Sequence, residues 1–234
     1  MKTVLVTGGS RGIGAAVTEK FAKNGYMVVA TYRNSVRAAE DLQAKLNDEG
    51  CDVHMIRCDM SDLAQVDDLF GRIRSYIRRL DVIVNNAGIS VSGTIGEVDE
   101  IQLDKLWRTN ALACYACCRG GYDLLRKADN PAVVNVSSVW GLYGASCEAA
   151  YSMTKHAVVG LTKSLAEEWK FDKIAVNCVC PPVVSTDMCA HLSEEDIAEF
   201  CAAHKCKLYT ASDVAEDIFR LATDGSSGVI LEEK

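Results

Sequence analysis

The sequence predicts an α/β fold in which helices cover both faces of one doubly wound parallel sheet. Short apolar runs alternate with amphipathic helical stretches along the 234 residues. The first run ends in a glycine-rich loop that leads into a helix, and polar residues follow the ends of several later runs. Parallel strands bring such ends to one edge of a sheet, where ligands bind. The length suits one core, so we expect residues 1–234 to form a single Rossmann-like domain.

The first element is a β-branched strand, Thr3 to Thr7, followed by the glycine loop Gly8-Gly9-Ser10-Arg11-Gly12-Ile13-Gly14. A helical pattern continues from Ala15 to Ala22. In this context the first glycine allows a tight turn, the third lets backbone approach a pyrophosphate, and the fourth lets the helix pack on the strand. The helix N-terminus would then face the phosphates. The alternative is a plain glycine turn without a ligand.

The second strand, Met27 to Thr31, indicates which dinucleotide would bind. A site for NAD usually has Asp or Glu about 20 residues past the glycines, where it holds the ribose hydroxyls. Residues 31–35 read Thr-Tyr-Arg-Asn-Ser and contain no carboxylate. Arg33, together with Arg11 in the glycine loop, therefore favours a 2′-phosphate and hence NADP. The alternative is that both arginines are solvated surface groups.

The later elements continue the alternation of strands and helices. The expected strands are 52–57, 82–84, 132–136, one that follows the loop 170–173, and a short last strand within 228–231; the expected helices are 63–77, 98–126 with an apolar stretch at 106–125, 149–170 and 193–207. Asp59, Asn86 and Ser138 follow three of these strands and should therefore lie near the glycine loop.

A phenol and an ammonium are expected one turn apart on the helix from Ala149, as Tyr151 and Lys155. A nearby positive charge stabilises an ionised phenol, so this pair could donate and accept a proton. Ser138 could hold a substrate carbonyl while Tyr151 protonates it. An exposed polar pair on a surface helix is the alternative interpretation.

Composition limits the classes of partner and compartment. The net charge of -7 and pI ≈ 5.2 argue against non-specific binding to nucleic acid or to anionic membranes. No apolar run approaches the roughly 20 residues of a membrane span. The first residues resemble a signal sequence only briefly, because their apolar part is short, and we interpret them as a strand. The 11 cysteines have no framework spacing, which favours free thiols and a cytoplasmic location.

Cys114-x-x-Cys117-Cys118 is the one cysteine pattern that could form a metal or redox site. It lies within an apolar helical stretch and has no second Cys or His pair nearby. We therefore expect a buried helix face and no metal.

Four separated motifs resemble those of the short-chain dehydrogenase/reductase family over residues 3 to about 231. They are Thr7-Gly8-x-x-x-Gly12-Ile13-Gly14, Asn85-Asn86-Ala87-Gly88, the set Ser138, Tyr151 and Lys155, and Pro181-x-x-x-x-Thr186. Within the family, the chain is most similar to bacterial 3-oxoacyl-acyl-carrier-protein reductases. Residues 140–148, Trp-Gly-Leu-Tyr-Gly-Ala-Ser-Cys-Glu, also resemble reductases that act on a modified lysine of elongation factor P.

The resemblance implies a role for each matching residue. Tyr151 would be the general acid/base, Lys155 would bind the nicotinamide ribose and assist Tyr151, and Ser138 would orient the carbonyl. Asn110 matches a fourth catalytic member that holds a water for proton relay. The implied cofactor-binding residues are Gly8, Ser10, Arg11, Gly12, Ile13, Gly14, Arg33, Asp59, Asn86, Ala87, Gly88, Tyr151, Lys155, Pro181, Val184 and Thr186.

Three departures from the family pattern affect the site and the assembly. Pro182 stands where relatives usually have glycine, so the loop facing the nicotinamide would differ. The expected helix at 193–207 offers little apolar bulk for a long acyl chain. The C-terminus lacks the Asp-Gly-Gly segment that relatives use at a subunit interface. Relatives pair the helices at 98–126 and 149–170, so we expect a homodimer or a weaker homotetramer.

We expect an NADPH-dependent reductase that transfers hydride to a ketone, with a small-molecule or carrier-linked substrate. A ketone-modified lysine of elongation factor P or another small ketone is the alternative, and a non-catalytic NADP-binding regulator is a distant one. Carrier-protein reductases resemble one another in offering basic side chains beside the site. The loops 126–131 and 170–173 each include an Asp among their basic residues, which predicts poor activity on carrier-linked chains.

Overall fold

The computed structural model describes residues 1–190 and 192–233, and its main feature is a seven-stranded parallel sheet. The strands are β1 (Lys2–Val6), β2 (Tyr26–Tyr32), β3 (Asp52–Arg57), β4 (Val82–Asn85), β5 (Ala132–Val136), β6 (Ala175–Cys180), β7 (Val184–Ser185), β8 (Tyr209–Thr210) and β9 (Ile230–Glu232). The sheet order is β3-β2-β1-β4-β5-β6-β9, while β7 and β8 form a separate parallel pair. The predicted doubly wound α/β class is confirmed.

Eight α-helices connect or follow these strands in the described chain: α1 (Gly12–Lys23), α2 (Val36–Asp48), α3 (Leu63–Tyr76), α4 (Glu100–Trp107), α5 (Ala113–Leu125), α6 (Ala149–Glu168), α7 (Glu194–His204) and α8 (Ala211–Thr223). Between α4 and α5, Arg108–Leu112 forms a π-helical turn, so the apolar stretch expected as one helix is interrupted there. The helices α2 and α8 add two elements to those that the sequence analysis predicted.

The two faces of the sheet carry separate apolar cores because side chains alternate along each strand. Val4, Val6 and Val28 pack towards α1, α2 and α8. On the other face, Leu5 and Val29 pack towards α3, α5 and α6. The strands are therefore apolar on both sides, as is usual for a parallel sheet covered by helices.

The chain reverses its direction of travel across the sheet between β1 and β4, which are neighbours although β2 and β3 lie between them in sequence. The loops after these two strands part to opposite sides, and a crevice opens at their carboxyl ends. A β-carbon added to Gly8, after β1, would lie 3.1 Å from the α-carbon of Ala87, after β4. The crevice is thus lined by closely packed backbone from both loops.

On the two helices expected to pair between subunits, the apolar residues Leu106, Val158 and Leu165 are instead buried within the subunit. Tyr115 in α5 and Met153 in α6 remain exposed, at 53% and 46%. The apolar surface of these helices is therefore smaller than the sequence indicated.

The expected buried helix face at Cys114, Cys117 and Cys118 is confirmed, since each side chain is at most 3% exposed. All 11 cysteines are free thiols. Within residues 1–190 and 192–233, no group of three His, Cys, Asp or Glu side chains is arranged to hold a metal ion. None of the helices that these described residues form is both long and apolar enough to cross a membrane.

Candidate active site

The glycine loop forms a tight cradle at the start of α1. Gly8 and Gly12 have φ angles of 66° and 52°, a region that glycine occupies without strain. A β-carbon on Gly14 would overlap the carbonyl oxygen of Gly8 and lie 2.6 Å from Nδ2 of Asn86. No acidic side chain lies in the first turn of α1, so its positive end faces the cavity without an opposing charge from that turn.

Asn86 braces this cradle from the neighbouring strand. Its Nδ2 donates to the carbonyl oxygens of Thr7 and Gly8, at 2.9 and 3.1 Å. The backbone N–H groups of Asn86 and Ala87 both donate to the Thr7 hydroxyl at 3.0 Å. The side chain predicted to lie along a cofactor therefore also holds the loop that would receive the phosphates.

Two arginines reach the same end of the cavity, and each has a carboxylate partner. Arg33 lies 3.9 Å from Asp59, and Arg11 lies 3.5 Å from Asp187. The Arg33 side chain is about one-third exposed, whereas Arg11 is 65% exposed. Arg33 therefore stands at the wall of the cavity just past β2, where the sequence predicted contact with a 2′-phosphate.

Tyr151, Lys155 and Ser138 all line the cavity, and each is at most 8% exposed. The Lys155 Nζ lies 5.6 Å from the centroid of the Tyr151 ring and donates to the Val136 carbonyl at 2.9 Å. Ser138 follows β5, and its Oγ accepts from the Trp140 N–H at 3.2 Å. The predicted placement of the phenol and ammonium one turn apart on α6 is confirmed.

Ser137 and Gly141 fix α6 against the loop after β5. The Ser137 hydroxyl donates to the Lys155 carbonyl at 2.9 Å. A β-carbon on Gly141 would lie 2.8 Å from that same carbonyl oxygen. This close packing sets the distance between Ser138 on the loop and Tyr151 on the helix, and it needs a residue without a side chain at position 141.

Asn110 lies behind the cavity wall. Its Oδ1 accepts from the Ile89 N–H at 2.9 Å, and its Nδ2 donates to the Ile89 carbonyl and the Thr154 hydroxyl at 2.9 and 3.1 Å. The side chain therefore fixes the loop after β4 to α6, and the π-helical turn places it there. Asn110 is 1% exposed, so its predicted part in a proton relay would pass through the backbone or through neighbouring groups.

Most of the residues described so far line one cavity of about 660 Å³. Of the predicted site residues, Ser10 and Asn110 do not line it, and the others do. Residues that the sequence analysis did not select also line it: Thr31, Tyr32, Asn34, Ser35, Cys58, Met60, Ile89, Ser90, Ser92, Thr109, Val136, Ser137, Glu148, Pro182, Asp187, Met188 and Cys189. Burial raises the pKa of the Cys58 thiol to about 11, so it stays neutral and forms part of an apolar wall.

The segment after β6 also lines the cavity. Its Pro181 carbonyl accepts from the Val139 N–H at 3.0 Å, and Thr186 faces Gly12. Beyond it, α7 packs onto the segment after Ser138 through aromatic rings. Phe200 and His204 lie 5.6 and 5.1 Å from Trp140, ring centroid to centroid. The helix expected at 193–207 therefore contacts the segment that follows Ser138.

The two loops selected as candidate carrier-protein contacts lie elsewhere in the subunit. Residues 126–131 and 170–173 precede β5 and β6, whereas the cavity lies at the carboxyl ends of the strands. Asp172 pairs with Arg126 at 3.1 Å, and Asp129 pairs with Arg79 at 3.2 Å. The expectation that these loops border the site is therefore wrong for the single subunit, because a parallel sheet separates the two edges.

Comparison with known proteins identifies the family. The family model described as short chain dehydrogenase matches residues 2–197. A 3beta-hydroxysteroid dehydrogenase of Mediterraneibacter gnavus is 39% identical over 188 residues, which cover 80% of this chain and 67% of that protein. A 3-oxoacyl-[acyl-carrier-protein] reductase of Synechocystis is 31% identical over 229 residues, with coverage of 98% and 92%.

The fold of this chain is also similar to the folds of solved structures. A short chain dehydrogenase from Burkholderia cenocepacia, determined in complex with NADP, superposes with a TM-score of 0.91 and 28% identity. The match covers 100% of this chain and 96% of that one. The glycine cradle, the Ser-Tyr-Lys centre and the family match agree, and this chain belongs to the short-chain dehydrogenases, a family of oxidoreductases that act on CH–OH and C=O groups.

Proposed function

We propose that this protein is an NADPH-dependent reductase that transfers hydride to a ketone, with Tyr151 as the proton donor. The observation that carries the proposal is the meeting of Ser138, Tyr151 and Lys155 in the cavity that also contains the glycine cradle. The preferred substrate class is 3-oxoacyl-like. A ketone-modified lysine of elongation factor P or another small ketone is the alternative.

The residues of the cavity fit a phosphorylated dinucleotide. The glycine cradle leaves no room for a β-carbon at Gly14, and the N-terminus of α1 faces it. Arg33 would hold the 2′-phosphate, with Asp59 beside it, and Ala87, Gly88 and Thr186 would line the remainder. When bound, NADPH supplies the hydride. Solved relatives carry NADP or NADPH, which supports the same cofactor here.

The chain's own groups would handle the substrate oxygen. Ser138 would donate a hydrogen bond to the carbonyl, and Tyr151 would give it a proton as negative charge develops there. Lys155 has three N–H donors and uses one on Val136, so it can also bind hydroxyl groups and stabilise the Tyr151 phenolate. Burial of all three side chains strengthens these interactions by excluding water.

Replacing Arg33 tests the choice of cofactor. The parent should prefer NADPH over NADH, and Arg33→Asp should raise the NADPH Kd about 10- to 100-fold, the range for losing a charge-assisted hydrogen bond. The NADH Kd should change far less. Fluorescence titration measures both values. Arg37→Asp is the matched control, because it makes the same charge change at an exposed α2 residue outside the cavity lining. Equal affinities for both cofactors in the parent would contradict the assignment.

A ketone panel with NADPH, followed by cofactor absorbance, tests the proposed reaction. The panel compares acetoacetyl-carrier protein with small free ketones at low and moderate salt. We expect better kcat/KM for the small ketones, because a net charge of -7 repels an acidic carrier. A carrier-protein kcat/KM many-fold higher than that of any small ketone would contradict the expected poor activity on carrier-linked chains.

A non-catalytic NADP-binding regulator is the competing function. It would bind NADPH and reduce nothing, and the Ser138, Tyr151 and Lys155 arrangement argues against it because cofactor sensing alone does not need a proton donor. We also propose that residues 1–234 work as one domain in the cytoplasm and assemble into a homodimer or homotetramer. The exposed Tyr115 and Met153 are consistent with an interface on α5 and α6, and light scattering measures the mass.

A further inference from the structure

Two cysteines lie at the end of α7, the helix whose aromatic rings contact Trp140. Cys201 is in the last turn of α7, and Cys206 follows it by five residues. Six of the 11 cysteine thiols are buried, whereas these two are partly exposed. Neither belongs to the cavity lining. A small oxidant in solution can therefore reach both thiols without entering the candidate active site.

The backbone at the end of α7 brings the two cysteines together. Lys205 ends the helix in a left-handed conformation, with φ 50° and ψ 40°. The chain then turns back, and the Cys206 N–H donates to the Cys201 carbonyl at 3.0 Å. A left-handed residue and a hydrogen bond of this span are the features of a Schellman motif. The side chains at the positions of Cys201 and Cys206 frequently contact each other in that motif.

The same geometry is compatible with a disulfide. Covalent bond lengths along the path through the 3.0 Å hydrogen bond place the two α-carbons at most about 7 Å apart. Disulfides usually join α-carbons that are about 4.4 to 6.8 Å apart. The thiols also influence each other, since burial, followed by the neighbouring Cys201 thiol, raises the pKa of the Cys206 thiol to about 11. The two side chains are therefore close enough to be joined.

We propose that Cys201 and Cys206 are a redox-modification site, at which a small disulfide such as oxidised glutathione converts the two thiols into one intramolecular disulfide. One cysteine thiolate attacks the glutathione disulfide, which forms a mixed disulfide and releases one reduced glutathione. The second cysteine thiolate attacks the protein sulfur of the mixed disulfide and releases the other glutathione. The protein loses two protons and two electrons, and the two glutathione molecules gain them. Reduced glutathione reverses both steps.

The disulfide restrains the part of α7 that packs on the segment after Ser138. His204, whose ring lies 5.1 Å from that of Trp140, is inside the loop that the disulfide closes. Closing such a loop removes conformations from the opened helix end. Oxidation should therefore slow amide hydrogen exchange of residues 201–206 by about tenfold or more, because exchange there requires local opening.

Peptide mapping of the folded full chain tests the site. The protein is incubated with excess oxidised glutathione at about pH 8.5, because a thiol with a raised pKa reacts through its thiolate. The remaining thiols are alkylated, and the protein is digested with trypsin and a glutamate-specific protease. Cleavage after Glu199, Lys205 and Lys207 gives peptides 200–205 and 206–207, each with one cysteine. We expect these peptides to be joined by a bond that a reductant breaks, in a protein whose mass falls by two hydrogen atoms.

Three serine variants identify the thiols. Cys201→Ser and Cys206→Ser should each abolish the joined peptides and the slower exchange, and the remaining thiol should retain glutathione as a mixed disulfide. Cys51→Ser is the matched control, because Cys51 is also partly exposed but lies between α2 and β3. This variant should form the joined peptides to the same extent as the parent.

Other outcomes overturn the inference. Peptides 200–205 and 206–207 that stay separate after oxidation, in protein that thermal unfolding shows to be folded, would exclude the disulfide. A bond from Cys206 to Cys189 or to a second copy of the chain, seen by mapping and on a non-reducing gel, would also contradict it. Joined peptides with unchanged exchange at 201–206 would show that α7 is not restrained. None of these results depends on the proposed reductase activity, which the ketone panel tests separately.

Discussion

Replacing Tyr151 with Phe should reduce kcat/KM for any substrate ketone by about 100- to 10,000-fold, while NADPH still binds. General acid catalysis by a positioned side chain contributes a factor of this size, which corresponds to about 3 to 5 kcal/mol of transition-state stabilisation. The substitution removes only the hydroxyl. The ring keeps its buried position 5.6 Å from the Lys155 ammonium, so the surrounding packing should be preserved. Steady-state kinetics and fluorescence titration of NADPH measure the two properties separately.

Tyr143→Phe is the matched control for this experiment. Tyr143 lies in the same segment between β5 and α6, is 48% exposed, and donates to Glu232 at 3.1 Å rather than lining the cavity. It should retain nearly the parent rate. A Tyr151→Phe variant that keeps the parent rate on a true substrate would show that another group supplies the proton, and the proposed mechanism would then fail.

Much of the fold could be predicted from the sequence because its signals are local. The strand at 52–57 and the strand at 132–136 have the predicted bounds, since each is a short run whose apolar residues are buried between two helical layers. The π-helical turn at Arg108–Leu112 had no such signal. It depends on a tertiary contact, because the Asn110 side chain binds the backbone of Ile89, which follows a distant strand.

The candidate site likewise combines features that have a local sequence signal with features that depend on tertiary contacts. The glycine loop and the Tyr151–Lys155 pair are short-range patterns, so their geometry was accessible from spacing alone. Glu148 was part of a quoted motif, but its neighbours in the cavity come from other elements, including Ser92 after β4 and Met188 after β7. The requirement for glycine at position 141 likewise has no local sequence signal. It arises because a β-carbon there would lie too close to the Lys155 carbonyl on α6, a contact that only the folded structure creates.

Replacing Gly14 with Ala should lower both the stability of the protein and its affinity for NADPH, because it distorts the backbone of the glycine cradle. The new β-carbon would overlap the Gly8 carbonyl and crowd Nδ2 of Asn86, the group that binds the carbonyls of Thr7 and Gly8. Backbone cannot rotate away as a flexible side chain can, so α1 and the glycine loop must separate. We expect a loss of about 3 kcal/mol of stability, at the upper end for overpacking, and a fall in Tm of about 10 °C for a chain of this size.

The same displacement should weaken NADPH binding by about 10- to 100-fold, the range for losing a hydrogen bond to a charged group such as a phosphate. Gly71→Ala is the control, because Gly71 lies in α3 and an added β-carbon there would meet open space. Alanine there should raise stability by about 0.5 to 1 kcal/mol and leave cofactor affinity unchanged. Thermal unfolding and fluorescence titration of both variants give the comparison. Parent-like NADPH affinity in a folded Gly14→Ala variant would show that the cradle does not hold the cofactor, because the distortion centres on the Gly8 turn and the N-terminus of α1.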